Sequence, residues 1–174
     1  MKKLMWLLPS LLILFCLASC HHNEEPPVEV TLPIADIFIP ATVTFDRSNT
    51  EFYEKCLEWD NKSLVVNSIE ELPEDPLGSN DYFKKINFSK STLLLYYSLH
   101  RFQYVTCKYY FLRNRIEQSY NLTIFLGIGN LLDENSTERR FTRFAVVVPK
   151  LPESANVNIG ISYTSGYADW EDDK

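Results

Sequence analysis

Histidine is scarce in this chain. There are three in 174 residues, and His21 and His22 sit side by side near the N-terminus. A Ser–His–Asp site would have to use His100, and no serine sits in a G-x-S-x-G turn. His100 follows strand residues and stands beside Arg101, so it reads as a turn residue. H-E-x-x-H, C-x-x-C and a glycine-rich phosphate loop are also missing. Cys56 or Cys107 with His100 is a formal Cys–His arrangement, outweighed by disulfide and core readings of the two thiols. Glu70 with Glu71, and Asp172 with Asp173, fall in loop or tail sequence, whereas a glycosidase holds two acids at a fixed separation on a rigid scaffold. His21 and His22 lack the further ligands a metal site needs. The expectation is a non-catalytic protein with no catalytic residue, metal or cofactor.

Positive charge is also in deficit: 17 basic against 23 acidic side chains, a net charge of −6. Phosphate contacts need Lys and Arg, so nucleic acid is not an expected partner.

What is present begins at residue 1. Lys2 and Lys3 precede an apolar run from Leu4 to Ala18, broken only by Pro9 and Ser10. That is the length of a signal-peptide core, short for a bilayer span. Leu17-Ala18-Ser19-Cys20 resembles a lipobox, the cleavage and lipidation motif of bacterial lipoproteins. The resemblance implies that residues 1–19 are removed and that Cys20 carries the lipid. Each buried methylene contributes roughly 0.8 kcal/mol, and two or more acyl chains anchor stably where one does not. Loss of 1–19 would leave 15 basic and 23 acidic side chains, a charge of −8. Adhesion to anionic lipid then falls to the acyl chains. Residues 20–27 read as lipidated Cys and tether. Glu24 and Glu25 loosely resemble the acidic surface-export signal of lipoproteins from gut-type anaerobic Gram-negative bacteria; a solvated linker is the alternative.

Residues 28–166 form one expected domain, mainly β, an antiparallel sandwich or partly open barrel with one or two short helices. Pro33 and Pro40 in Val28–Phe45 suit an edge strand or extended arm. Ser48 with Glu51 predicts a capping box opening a helix to Trp59, whose apolar face is Phe52, Cys56 and Trp59. Leu64–Val66 is a short strand, and Ser68 with Glu71 suggests a second box. Glu70–Asn80 reads as a solvated acidic loop. Thr92–Leu99 is apolar on both parities, a strand covered on both faces. Val105, Cys107, Tyr109 and Phe111 share one side of the next strand, with Tyr104 and Tyr110 opposite. Tyr120, Leu122, Ile124 and Leu126 alternate with Asn121, Thr123 and Phe125, and Val157, Ile159, Ile161 and Tyr163 with Asn156, Asn158, Gly160 and Ser162, giving the latter strand one dry and one wet face. Arg140–Val148 is a further strand, stopped by Pro149. Gly127–Thr137 is expected to turn, and 167–174 to form an acidic tail. In an oxidising compartment Cys56 and Cys107 could pair, closing a 51-residue separation that would contribute about 4 kcal/mol. Two buried free thiols are the alternative.

Ile86-Asn87-Phe88-Ser89-Lys90 followed by Leu93-Leu94-Leu95 resembles a signature of small envelope lipoproteins of gut-type anaerobic Gram-negative bacteria. Val146-Val147-Val148-Pro149-Lys150 resembles their closing strand. A more distant similarity is to the C-terminal domain of protease-complex accessory lipoproteins, although His100-Arg101-Phe102 stands where that domain has a Gly-Gly-Tyr turn. The resemblance implies a protein anchored in the outer membrane by its N-terminal lipid, binding an unknown protein partner as an accessory subunit. The alternative is a carbohydrate-binding or adhesion module, since tyrosines exposed on a rigid sheet suit glycans as well as proteins. No ligand-binding residue follows from the resemblance.

Overall fold

A strand that is apolar on both parities needs cover on both sides, and the fold supplies it. The computed structural model describes residues 27–78, 80–131 and 135–165. The expected signal sequence, Cys20, most of the expected tether and the expected 167–174 tail lie outside the described residues.

The elements in order are β1 (Glu29–Thr31), β2 (Asp36–Asp46), α1 (Thr50–Trp59), β3 (Ser63–Val66), β4 (Ser91–His100), β5 (Phe102–Asn114), β6 (Ser119–Leu131), β7 (Glu138–Pro149) and β8 (Asn156–Ser165). Single 3-10 turns occur at Ile69–Glu71 and Phe83–Lys85. One four-stranded sheet has the order β1-β5-β6-β8, the other β2-β7-β4-β3. The two sheets stack as a sandwich and do not close into a barrel. All pairs are antiparallel except β6 with β8. That pair is parallel because β7, between them in the chain, lies in the other sheet. The chain crosses, makes one pass, and returns in its original direction.

The second sheet is a middle layer. Leu94, Tyr96, Phe144, Val146 and Val148 point into the space between the sheets, against Phe111, Leu122, Ile124 and Leu126. Leu93, Leu95, Tyr97, Phe141 and Ala145 point the other way, under α1 and the segment between β3 and β4. Each fully buried Leu contributes roughly 1.5–3 kcal/mol, so the Leu93-Leu94-Leu95 run loads both interfaces. The α1 face of Phe52, Cys56 and Trp59 packs here as its spacing predicts. Trp59 meets the Tyr97 ring edge-on at 4.8 Å, and Phe52 meets Phe45 at 4.9 Å.

Pro40 falls on β2, an edge strand as expected, whose register shifts around it between Phe38 and Ala41, while Pro33 lies in the connector between β1 and β2.

Several expectations need correction. The helix begins at Thr50, and its cap is Asn49, whose side chain accepts from the Phe52 N–H. Ser48 instead donates its own N–H to Asp46. Ser68 makes no side-chain cap bond; Glu71 accepts from the Asn67 N–H, one residue earlier. Gly127 to Leu131 continues β6 rather than turning. In β5 the register shifts between Tyr104 and Thr106, so Val105 is an extra residue. Tyr104 turns inward, and Val105 faces solvent. Gly127 and Gly129 permit this bulge: a Cβ at either would lie 2.3 Å from Thr106 Oγ1 or 2.5 Å from Val105 Cγ1. Cys56 and Cys107 are free. Cys56 packs beneath α1 and Cys107 between the sheets, with the second sheet separating the two clusters, so the bridge is not made. Burial pushes the Cys56 thiol up to about 12 and raises that of Cys107.

The cap assignment is directly testable. Asn49→Ala is expected to cost about 1 kcal/mol in urea unfolding, and Ser48→Ala a few tenths at most. Equal losses would restore the Ser48 box.

Candidate functional site

An arginine sits in the middle of the apolar strand β7. Arg143 falls on the face of the second sheet that looks toward α1, between Phe141 and Ala145, and its side chain is 7% exposed. A charge there requires a partner on the spot. The partner is Asp75, fully buried, whose Oδ2 lies 2.6 Å from Arg143 Nη1. The same oxygen accepts from the Tyr97 hydroxyl at 2.8 Å, and Oδ1 accepts from the Leu77 N–H at 2.9 Å. Arg143 Nη1 also donates to Asn80 Oδ1 at 2.7 Å, and Asn80 donates to the Pro73 carbonyl. The guanidinium lies over the Phe83 ring, 4.9 Å from its centroid. Burial and the neighbouring Asp75 carboxylate raise the Tyr97 pKa, keeping the phenol a donor. The acidic loop expected to be solvated is therefore fastened to the sheet at its centre.

Above this network opens a groove of about 450 Å³ on the β2 flank, lined by Ile37, Phe38, Ile39, Ala41, Tyr82 and Phe83, with Arg143 and Ala145. Small side chains at Ala41 and Ala145 leave the hollow; Phe38 and Phe83, edge to face at 5.0 Å, form one wall. A second hollow of about 390 Å³ shares Phe38 and Tyr82 and runs toward Asp36 and Lys85. The rim is apolar and exposed: Ile37 is 51%, Tyr82 69% and Ile39 92% accessible. Ile39 stands out because the β2 bulge at Pro40 turns it off the sheet. Sequence reasoning missed this site. Its two signals were an arginine inside an otherwise apolar strand and an isoleucine beside a strand proline.

His100 is not a turn residue. It ends β4, is 5% exposed, and has both ring nitrogens bonded. Nδ1 is 2.9 Å from the Phe102 carbonyl, and Nε2 is 2.9 Å from Thr142 Oγ1. Thr142 continues to Thr42 at 2.8 Å. The carbonyl can only accept, so Nδ1 carries the proton and the Thr142 hydroxyl donates to Nε2. The ring stacks on Phe102 at 4.4 Å. Burial lowers the His100 pKa to about 4. The cysteines lie elsewhere, in the clusters described above. Among the described residues, no three His, Cys, Asp or Glu side chains are grouped to hold a metal ion, and no helix is long and apolar enough to cross a membrane.

The expected aromatics mostly pack. Tyr96 and Tyr97 are buried and Tyr104, Tyr109 and Tyr120 half-buried, while Tyr110 lies exposed against Phe125 on the outer face of the first sheet. No protein-family model, curated protein or solved structure matches the chain.

Two outcomes follow from these networks. Asp75→Asn leaves Arg143 buried without a counter-charge and is expected to cost about 3–5 kcal/mol. The double variant Asp75→Asn with Arg143→Met should lose clearly less than the sum of the single losses, because the orphaned charge is gone; additive losses in denaturant melts would refute the coupling. The second concerns pH. With a folded pKa near 4 and an unfolded value near 6.5, the unfolded chain takes up the extra proton. The contribution is complete above about pH 6.5 and is lost as pH falls toward 4, by up to about 3 kcal/mol. His100→Gln should flatten that slope in a pH series of melts; an unchanged slope would exclude His100 as its source.

Proposed function

We propose that this chain is a non-catalytic, lipid-anchored protein of the bacterial outer membrane, held through Cys20, whose sandwich binds another protein as an accessory subunit of a surface complex. The observation that supports the binding role is the groove on the β2 flank. Its apolar rim of Ile37, Ile39 and Tyr82 surrounds a hollow deep enough for a large side chain. Exposed apolar rims of this kind suit protein contacts, where one or two anchors carry most of the energy. A glycan site calls for rings on a common platform. The described exposed tyrosines are instead dispersed: Tyr82 borders the groove, Tyr110 lies on the outer face of the first sheet, and Tyr163 sits near the end of β8.

The test is a mild-detergent isolation of the lipidated protein from its own membranes with quantitative mass spectrometry. A stoichiometric partner is expected. Ile39→Asp should weaken its retention at least about tenfold, while Val105→Asp, exposed on the other sheet, leaves it intact. Recovery of the protein alone, or equal loss with both variants, would overturn the assignment and turn attention to glycans.

A further inference from the structure

The sandwich has two ends, and the tether leaves from one of them. The N-terminal end of the described chain is fastened there: the Val28 carbonyl accepts from the Arg115 N–H at 2.9 Å, and Glu29 pairs with Asn114 at the end of β5. The same end carries the β5–β6 turn. That turn is held in shape by Asn114, whose Oδ1 accepts from the N–H groups of Ile116 and Glu117, both at 3.0 Å. Gln118 closes it in the left-handed region, φ 52°. The result is a fixed tip with Ile116 pointing outward, 75% exposed, next to Val28 at 48%. Arg113 and Arg115 flank it.

Resting on the lipid-anchor reading, length decides the orientation. Cys20 to Pro27 is seven residues, a reach of about 25 Å at most. β5 alone has 13 residues, or about 40 Å from end to end. A tether shorter than the domain cannot let it invert. The end bearing Phe102 and His100 cannot be the end turned to the membrane with the tether stretched past it, and the end bearing Ile116 stays within about 25 Å of the membrane.

We propose that the β5–β6 turn is a membrane contact, with Ile116 seated among phospholipid headgroups and Arg113 and Arg115 on their phosphates. An exposed aliphatic side chain flanked by two arginines matches that boundary, apolar on one side and anionic on the other. Glu117 at the tip limits the charge attraction, so the acyl chains hold the protein there and the turn sets its attitude. The β2 groove then faces sideways, open to a neighbouring protein in the same membrane.

The experiment uses the full lipidated chain in vesicles of phosphatidylethanolamine and phosphatidylglycerol. Ile116→Cys and Gln103→Cys, at opposite ends of β5, each carry a nitroxide, and the wild-type chain gives the background from Cys56 and Cys107. The Ile116 label is expected to be several-fold less accessible to a water-soluble relaxant and more accessible to oxygen than the Gln103 label. Equal accessibility of the two labels on vesicle-bound protein would overturn the contact and leave the anchor standing. Intact-mass analysis showing no acyl chains on Cys20 would overturn the anchor and the contact together.

Discussion

A sheet covered on both faces can hold a charge only where the charge is answered within hydrogen-bond reach. Arg143 is such a charge, placed in the second sheet between Phe141 and Ala145. Its partner is on neither neighbouring strand. Asp75 is 68 residues away in sequence, in the segment that connects β3 to β4. That segment therefore has to cross the face of the sheet and place one carboxylate over β7. Once Asp75 is there, Leu77, Asn80 and Phe83 are fixed in turn by the Leu77 N–H, the Arg143–Asn80 bond and the ring under the guanidinium. The cover of the sheet is a loop with little regular structure, ordered by one ion pair and its hydrogen bonds.

A buried ion pair contributes little net stability over a well-packed apolar replacement, because desolvation consumes most of the attraction. Its consequence here is positional. Apolar packing alone would let the loop slide over the Leu93, Leu95 and Tyr97 surface, since dispersion is not directional. A carboxylate that receives the Tyr97 hydroxyl, the Leu77 N–H and Arg143 has one place to sit. That fixes Tyr82 and Phe83 at the rim of the groove, opposite the β2 bulge. The groove is thus built from a proline-driven irregularity on one side and a charge-fixed loop on the other, with Ala41 and Ala145 leaving the space between.

What the sequence discloses is what depends on neighbours in sequence. The two-faced apolar run of β4, the inward alternation of Leu122, Ile124 and Leu126, the helical face of Phe52, Cys56 and Trp59, and the edge position of Pro40 were all legible. What it hides depends on partners far along the chain. The inward turn of Tyr104 needs the β6 register, and its only local trace was glycine at 127 and 129, two positions where a second strand comes close. The burial of Asp75 needs Arg143. Its neighbours Glu70, Glu71 and Glu74 made the loop look uniformly wet, although one acid in it is enclosed. The parallel β6–β8 pair follows from β7 crossing to the other sheet, a choice no single strand's pattern records. Ser48 lost the cap to Asn49 because the helix starts one residue later, which moves the capped N–H from Glu51 to Phe52.

The same crossing places the surfaces relative to one another. β7 gives Arg143 to the groove on one face and Thr142 to His100 on the other, so one strand supports both buried polar networks. They differ in consequence. The Arg143 network is charged and fixes a loop. The His100 network is neutral, with the ring bridging the Phe102 carbonyl and the Thr142 hydroxyl, and the hydroxyl chain goes on to Thr42 on edge strand β2. Protonating His100 would put two donors where Nε2 now accepts. Thr142 could no longer donate to the ring and would have to reorient against Thr42. Acid would therefore loosen the contact between β7 and β2 at the Thr42–Thr142 pair, beside Ala41 and Arg143 of the groove lining, where the Asp75–Arg143 pair holds the floor. The groove and the β4–β5 corner are coupled through both strands, since Thr142 adjoins Arg143 on β7 and Thr42 adjoins Ala41 on β2, and the irregularity at Pro40 lies between that pair and Ile37 and Phe38.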